Sequence, residues 1–271
     1  CTGSDVGFFQ YGVLYHPQPV RNLGKAAQNL GAEDIKGYDV VIQLAGISND
    51  PFGNLDPAQI YDPTREYALH IAKLCKKLGV RYLFPSSCSV YGVGNNNLLD
   101  ESSNVNPQTG YSLNKYQIEN DLKELSDSNF SPIALRFATV FGTSPNMRFD
   151  IVINMLVGMA ITRKKIILNS DGQSWRPNLH IIDLCNSIRK SINLEYSGGD
   201  LLILNVGDEM NNLKIIDIAK LVQNSLPGSK LEFLSENPNI DVDNLIKDRK
   251  VDGKDTRTYK VSFSKVRETL P

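Results

Sequence analysis

Residues 38–44, Tyr-Asp-Val-Val-Ile-Gln-Leu, form a near-continuous apolar run that ends in the small pair Ala45-Gly46. A run this short and without polar alternation predicts a strand buried on both faces, the condition of a parallel sheet covered by helices. Parallel strands need long crossovers, and the chain supplies them. Ile71, Leu74, Cys75 and Leu78 recur at helical spacing up to a stop at Gly79. A second apolar run follows at 80–84, a helix is expected from about Tyr111 to Ser126, and residues 132–136 read as a third buried strand. The expectation is an α/β, doubly wound parallel sheet, with the carboxyl ends of strands 38–44, 80–87 and 132–136 converging on one crevice.

The 271 residues suffice for one large core, or for a nucleotide-binding domain with a smaller partner. With 29 basic against 30 acidic residues there is no positive field to gather nucleic acid. No run of about eighteen apolar residues offers a membrane span. The four cysteines Cys1, Cys75, Cys88 and Cys185 lack metal-ligand spacing and read as reduced thiols of a cytoplasmic protein.

The chemistry concentrates between Phe84 and Lys115. Phe84-Pro85-Ser86-Ser87-Cys88-Ser89-Val90-Tyr91-Gly92 is an apolar strand running into hydroxyls, and Tyr111-Ser112-Leu113-Asn114-Lys115 follows about twenty residues later. A Tyr and a Lys four apart share one face of a helix. An ammonium beside a phenol favours phenolate, which suits the Tyr to take a proton from an alcohol. If the strand stays regular, Ser87 and Ser89 share a side and Cys88 points opposite; a turn there would cancel that. Residues 92–107, rich in Gly, Asn and Pro, are expected to form a loop.

Four stretches in order, DVVIQLAG, SSCSVYG, YSLNK and WRPNLHIIDL, resemble the extended short-chain dehydrogenase/reductases, and among them the NAD-dependent epimerase/dehydratase family that acts on nucleotide sugars. The likeness runs from about Asp5 to the end of the chain. It implies a Rossmann-like domain over 1–142 with 176–207, and a substrate domain over 143–175 with 208–271. It also implies that the chain starts in the family's second strand, without the first strand and its glycine-rich turn. Asp5 then takes the place of the acidic residue that binds the adenosine ribose, favouring NAD as cofactor. Leu44, Ala45 and Gly46 fall on the cofactor side, where small residues let a ligand approach the backbone. Lys25-Ala26-Ala27-Gln28 departs from the acidic residue that relatives place against adenine.

By the same resemblance Tyr111 is the base, Lys115 holds its phenolate and the nicotinamide ribose, and Ser87 binds the substrate oxygen. Substrate contacts are implied for Ser87, Cys88, Ser89, Thr139, Asn154, Arg176 and Arg257, the two arginines facing a pyrophosphate. Trp175 could stack on a base or simply be buried, and His180 is expected to be structural. Relatives that dehydrate carry an Asp-Glu pair where Cys88-Ser89 stands, so epimerisation of a nucleotide sugar is favoured over dehydration. Epimerase/reductases similar to GDP-fucose synthase share the Ser-Ser-Cys run but need a later histidine, and none lies between His70 and His180. A truncated, non-catalytic dinucleotide-fold protein is the other alternative. Family members dimerise through a four-helix bundle of the helices that carry Ile71 and Tyr111 here, with Leu74, Leu78, Ile118 and Leu122 either the apolar seam of a homodimer or equally packed on the sheet. Residues 8–19 are expected as loop and 235–254 as a polar flap.

Overall fold

Alternation of strand and helix builds the first half of the chain. A computed structural model describes residues 1–5, 13–15, 20–48, 56–234 and 257–271; most of the loop expected over 8–19 and the whole of the flap expected over 235–254 lie outside them. Strands β1 (Thr2–Gly3) and β2 (Arg21–Asn22) pair in parallel, and a short helix α1 (Ala32–Ile35) leads into β3 (Val40–Ile42). Helix α2 (Pro57–Leu78) crosses to β4 (Arg81–Ser87). Then come β5 (Val93–Leu99), α3 (Gly110–Leu125), β6 (Ile133–Phe137) and β7 (Thr139–Phe141).

The second half runs α4 (Val152–Arg163), β8 (Lys165–Leu168), β9 (Trp175–His180), α5 (Ile181–Asn193) and β10 (Leu202–Val206). It continues with β11 (Asn212–Lys214), α6 (Ile215–Ser225), β12 (Lys230–Phe233) and β13 (Thr258–Val261), and closes on a helix at Ser264–Thr269.

The main sheet has the order β10-β6-β4-β3, and all three pairings are parallel, as the buried runs require. Helices α2 and α3 cover one face. There Tyr82 and Phe84 of β4 meet Ala68, Ile71 and Ala72 of α2 and Ile118 and Leu122 of α3. Both long helices begin on side-chain caps, Asp56 accepting from Ala58 N (3.0 Å) and Thr109 exchanging bonds with Ser112. The opposite face of the sheet packs with the C-terminal segment, where Tyr259, Val261, Phe263 and Leu270 join Leu135, Phe137 and Leu204 in one cluster. A separate apolar cluster, including Leu156, Ile166, Leu168, Ile218 and Val222, is built from α4, β8 and α6.

Three expectations are corrected. Residues 93–99 are a strand rather than a loop, because β13 offers a parallel partner, pairing Lys260 with Leu98 and Val261 with Leu99; backbone pairing overrides a poor strand composition. The run at 38–44 yields only the three residues of β3. Leu44 N donates to Ile42 O (3.0 Å) and so turns the chain out of the sheet. The four residues expected at a dimer seam belong to this chain's own core: Ile118 and Leu122 are fully buried, and Leu74 and Leu78 pack against the same cluster.

Candidate functional site

At the carboxyl end of β4 the strand stops abruptly. Ser87 caps a 3-10 turn, Cys88–Tyr91, its Oγ accepting from Ser89 N (3.1 Å). Gly92 ends that turn at φ 63°, and a Cβ on it would meet Asn106 O at 1.8 Å, so only glycine fits. The turn removes the regular alternation. Cys88 is fully buried, its thiol donating to Arg136 O (3.1 Å), and burial pushes that thiol well above its ordinary range. Expected among the substrate contacts, Cys88 is a core residue. Ser89 is also buried, and its Oγ has no hydrogen-bond partner among the described residues. Ser87 alone of the three is half-buried.

Helix α3 carries Tyr111 and Lys115 to the same strand end. Lys115 Nζ donates to Pro85 O (2.7 Å), lies 4.7 Å from the Phe84 ring centroid and 5.7 Å from that of Tyr111. Loss of water around the ammonium pulls Lys115 down to about 8, and the Glu119 carboxylate one turn further on opposes that fall. The structure therefore assembles Ser87, Tyr111 and Lys115 at one strand end.

Beneath them lies a buried polar network. Glu119 accepts from Ser86 Oγ (2.5 Å) and from Arg136 Nε (3.0 Å) and Nη2 (2.6 Å). Arg136 Nη1 donates to Tyr91 Oη (2.9 Å), whose hydroxyl faces Asn205 Oδ1 and Asp100 O. Burial would lower Arg136, but its bonds to Glu119 outweigh that and hold it charged. These residues had a signal in the chain: Tyr111, Lys115 and Glu119 recur every fourth residue, and an Arg in the apolar run 133–137 needs a buried partner.

Where the cofactor contacts were expected, Leu44 is 70% exposed, and the loop at Ala45-Gly46 is held by Gln43 Nε2 to Ala45 O (3.1 Å) and by Ile47 N to Thr64 Oγ1 (3.4 Å). Asp5 follows β1, its N donating to Asn22 Oδ1 (3.0 Å) and its O accepting from Asn22 Nδ2 (3.1 Å).

The expected phosphate contacts form a second cluster. Arg176 is buried, donates to the carbonyls of Trp175 and Arg257, and lies 5.9 Å from the Tyr259 ring centroid. Trp175 is half-buried, with Lys214 and Lys260 ammoniums 5.5 and 5.3 Å from its ring. Asn154, expected to bind substrate, is buried, accepting from Gly142 N (3.1 Å) and donating to Arg148 O (2.8 Å); both ends of its amide fasten the loop after β7. Thr139 is half-buried in β7 beside Asn178. His180 caps α5 and meets Phe141 edge-on, as a structural residue does.

A metal-holding cluster of His, Cys, Asp or Glu is absent among the described residues, as is a helix long and apolar enough to cross a membrane. Among solved structures, the chain resembles the NAD-dependent NDP-hexosamine 5,6-dehydratase TunA of tunicamycin biosynthesis, with TM-score 0.80 at 19% identity over 99% of this chain and 82% of that one. It also resembles a variant of the Bacillus cereus UDP-glucuronic acid 4-epimerase in complex with NAD, with TM-score 0.74 at 19% identity, covering 93% and 75%. Curated relatives include the ADP-L-glycero-D-manno-heptose-6-epimerase of Brachyspira hyodysenteriae (23% identical, 63% of this chain and 54% of that protein). Another is the UDP-glucose 4-epimerase of Bacillus subtilis (23%, 79% and 66%). The chain thus spans a third to two thirds of the length of curated relatives such as these. Residues 23–207 match the model of the NAD dependent epimerase/dehydratase family, and on that match the chain belongs to this family.

Proposed function

We propose that the protein is a nucleotide-sugar epimerase with Tyr111 as its base. The family uses NAD. The residues present suit it: Lys115 has an ammonium with one bond to Pro85 O and the phenol of Tyr111 at its side, a donor set for ribose hydroxyls. Ala45-Gly46 opens the backbone at the neighbouring strand end. Asp5 is assigned to the adenosine ribose in this reading. When bound there, NAD would supply the hydride acceptor and donor for this chemistry.

The chain's own groups do the rest. Ser87 Oγ accepts from Ser89 N, which leaves its proton for the substrate oxygen. Lys115 stabilises the Tyr111 phenolate, and Tyr111 takes the hydroxyl proton as the carbinol carbon becomes a ketone. Return of the proton from Tyr111 and of the hydride to the opposite face of that carbon inverts it. Arg176 and Arg257 are assigned to the diphosphate, and the unit around α4 and α6 to the sugar end.

The observation that carries this reading is the half-buried Lys115 ammonium, bonded to Pro85 O at the β4 terminus beside the Tyr111 ring. Epimerisation is favoured over elimination because the residues following Ser87 are a buried thiol and a hydroxyl, and the nearby Glu119 is committed to Arg136 and Ser86. The test is to incubate the protein with NAD and a panel of nucleotide sugars and follow the sugars by proton NMR. Interconversion of epimers supports the reading; a keto-deoxy product would replace it with a dehydratase, and NAD binding without turnover with a non-catalytic fold.

A further inference from the structure

The mechanism leaves Glu119 unused, although it is a buried carboxylate two turns from Tyr111 on the same helix face. Three elements meet on it. Its own helix carries Tyr111 and Lys115; Ser86, which donates to it, immediately precedes Ser87; and Arg136, which donates to it twice, also holds Tyr91 at the end of the turn that orients Ser87. Sliding α3 along β4 would break all of these bonds together, and each broken partner would be left buried.

We propose that Glu119 is the positioning residue of this site: it fixes the register of α3 against the end of β4 and sets a carboxylate one turn from Lys115 on the same helix face. The proposal rests on the reading of Tyr111 and Lys115 above. Among the described residues, the titratable groups set against Lys115 are Tyr111, its ring centroid 5.7 Å from the ammonium, and Glu119 one turn further on; Glu119 in turn holds Arg136, which holds Tyr91. Phe84 and Pro85 of β4 add none. Arg65 of α2 is paired with Asp121, forming two bonds of 2.6 and 2.7 Å. Glu119 is therefore the negative charge acting on the ammonium. A purely structural brace would hold Ser86 and Arg136 but leave the protonation of Lys115 where it is, whereas a charge that acts on the ammonium moves it.

The experiment reads Lys115 directly. Lysines are reductively methylated with ¹³C-formaldehyde, which preserves their charge, and titrated by NMR, with the Lys115 signal assigned by its loss in Lys115→Arg. In the wild-type protein this signal titrates near 8, well below the exposed lysines. Glu119→Gln keeps the acceptor for Ser86 but removes the charge, and its Lys115 midpoint falls by about one pH unit. Should uncompensated Arg136 prevent folding, Glu119→Gln/Arg136→Met removes both charges; the midpoint falls there too, because Glu119 and not Arg136 acts on the ammonium. Glu119→Asp keeps the charge and restores the wild-type midpoint. An unchanged midpoint in a folded Glu119→Gln or in the double variant overturns the proposal. Because no sugar enters the experiment, failure of the proposed activity and failure of this inference are seen separately.

Discussion

Two strands of one sheet, β3 and β4, end on the same side and end differently. β4 is seven residues long, lies between β3 and β6, and its last side chains are tied to α3 and β6 by the Glu119 and Arg136 bonds. β3 has three residues and pairs, among the described residues, with β4 alone. The chain leaves it at Gln43, and Leu44 stands in water. Both strands come from apolar runs of the same kind. An apolar run says what a strand is able to bury; the neighbours on its two sides decide what it does bury. The proposed proton chemistry sits on the braced end, and the proposed cofactor approach on the open one.

The largest effect is expected from removing the brace. Arg136→Met leaves Glu119 buried without its counter-charge and deprives Tyr91 of a donor. Loss of one partner of a buried pair costs about 3–5 kcal/mol, to be read from urea denaturation. A loss below about 1 kcal/mol would mean that water reaches Glu119, and the contrast between the two strand ends would fall. Next is Tyr111→Phe, which keeps the ring but removes the proton acceptor. Turnover of a nucleotide sugar should drop about a hundredfold, with the unfolding midpoint unchanged. Full activity would remove Tyr111 from the mechanism.

Much of the braced end was legible in the chain. The hydroxyls at 86–89 and the Tyr-Lys spacing marked it, because local spacing on a helix or strand is conserved in three dimensions. The brace itself was less legible, since Glu119 and Arg136 lie seventeen residues apart and only the pairing of α3 with β6 makes them neighbours. The 3-10 turn at Cys88 was not legible. It depends on Gly92 at φ 63° and on Asn106 N donating to Val90 O (2.9 Å) from a distant segment. β5 was hidden for the same reason, its partner β13 being far along the chain.

The open end is not wholly slack, and a third variant measures how tightly it is held. Gly46 lies at φ 153°, and a Cβ there would come within 2.9 Å of Thr64 Cγ2 and 3.4 Å of Tyr67 Oη. Gly46→Ala should cost about 1–3 kcal/mol through backbone strain and the shift forced on Thr64. It should also weaken NAD binding, measured by calorimetry, while leaving the Lys115 titration where it was. A change in that titration would show that the two ends are coupled.

The smallest effect is expected at Leu44, and it tests the contrast most directly. By sequence Leu44 closes a buried run, and replacing a buried Leu with a small residue costs about 2–5 kcal/mol. In the structure its side chain is 70% exposed, so little apolar area would return to water on unfolding. Leu44→Ser should therefore change stability by no more than about 0.5 kcal/mol. The matched control is Leu83→Ser in the neighbouring strand, where the side chain is fully buried in the cluster on the face packed by the C-terminal segment and the full core cost is due. If the two substitutions cost the same, the edge of β3 is covered in solution by something that packs on Leu44. The difference between the strand ends would then belong to this chain in isolation rather than to the protein as it works.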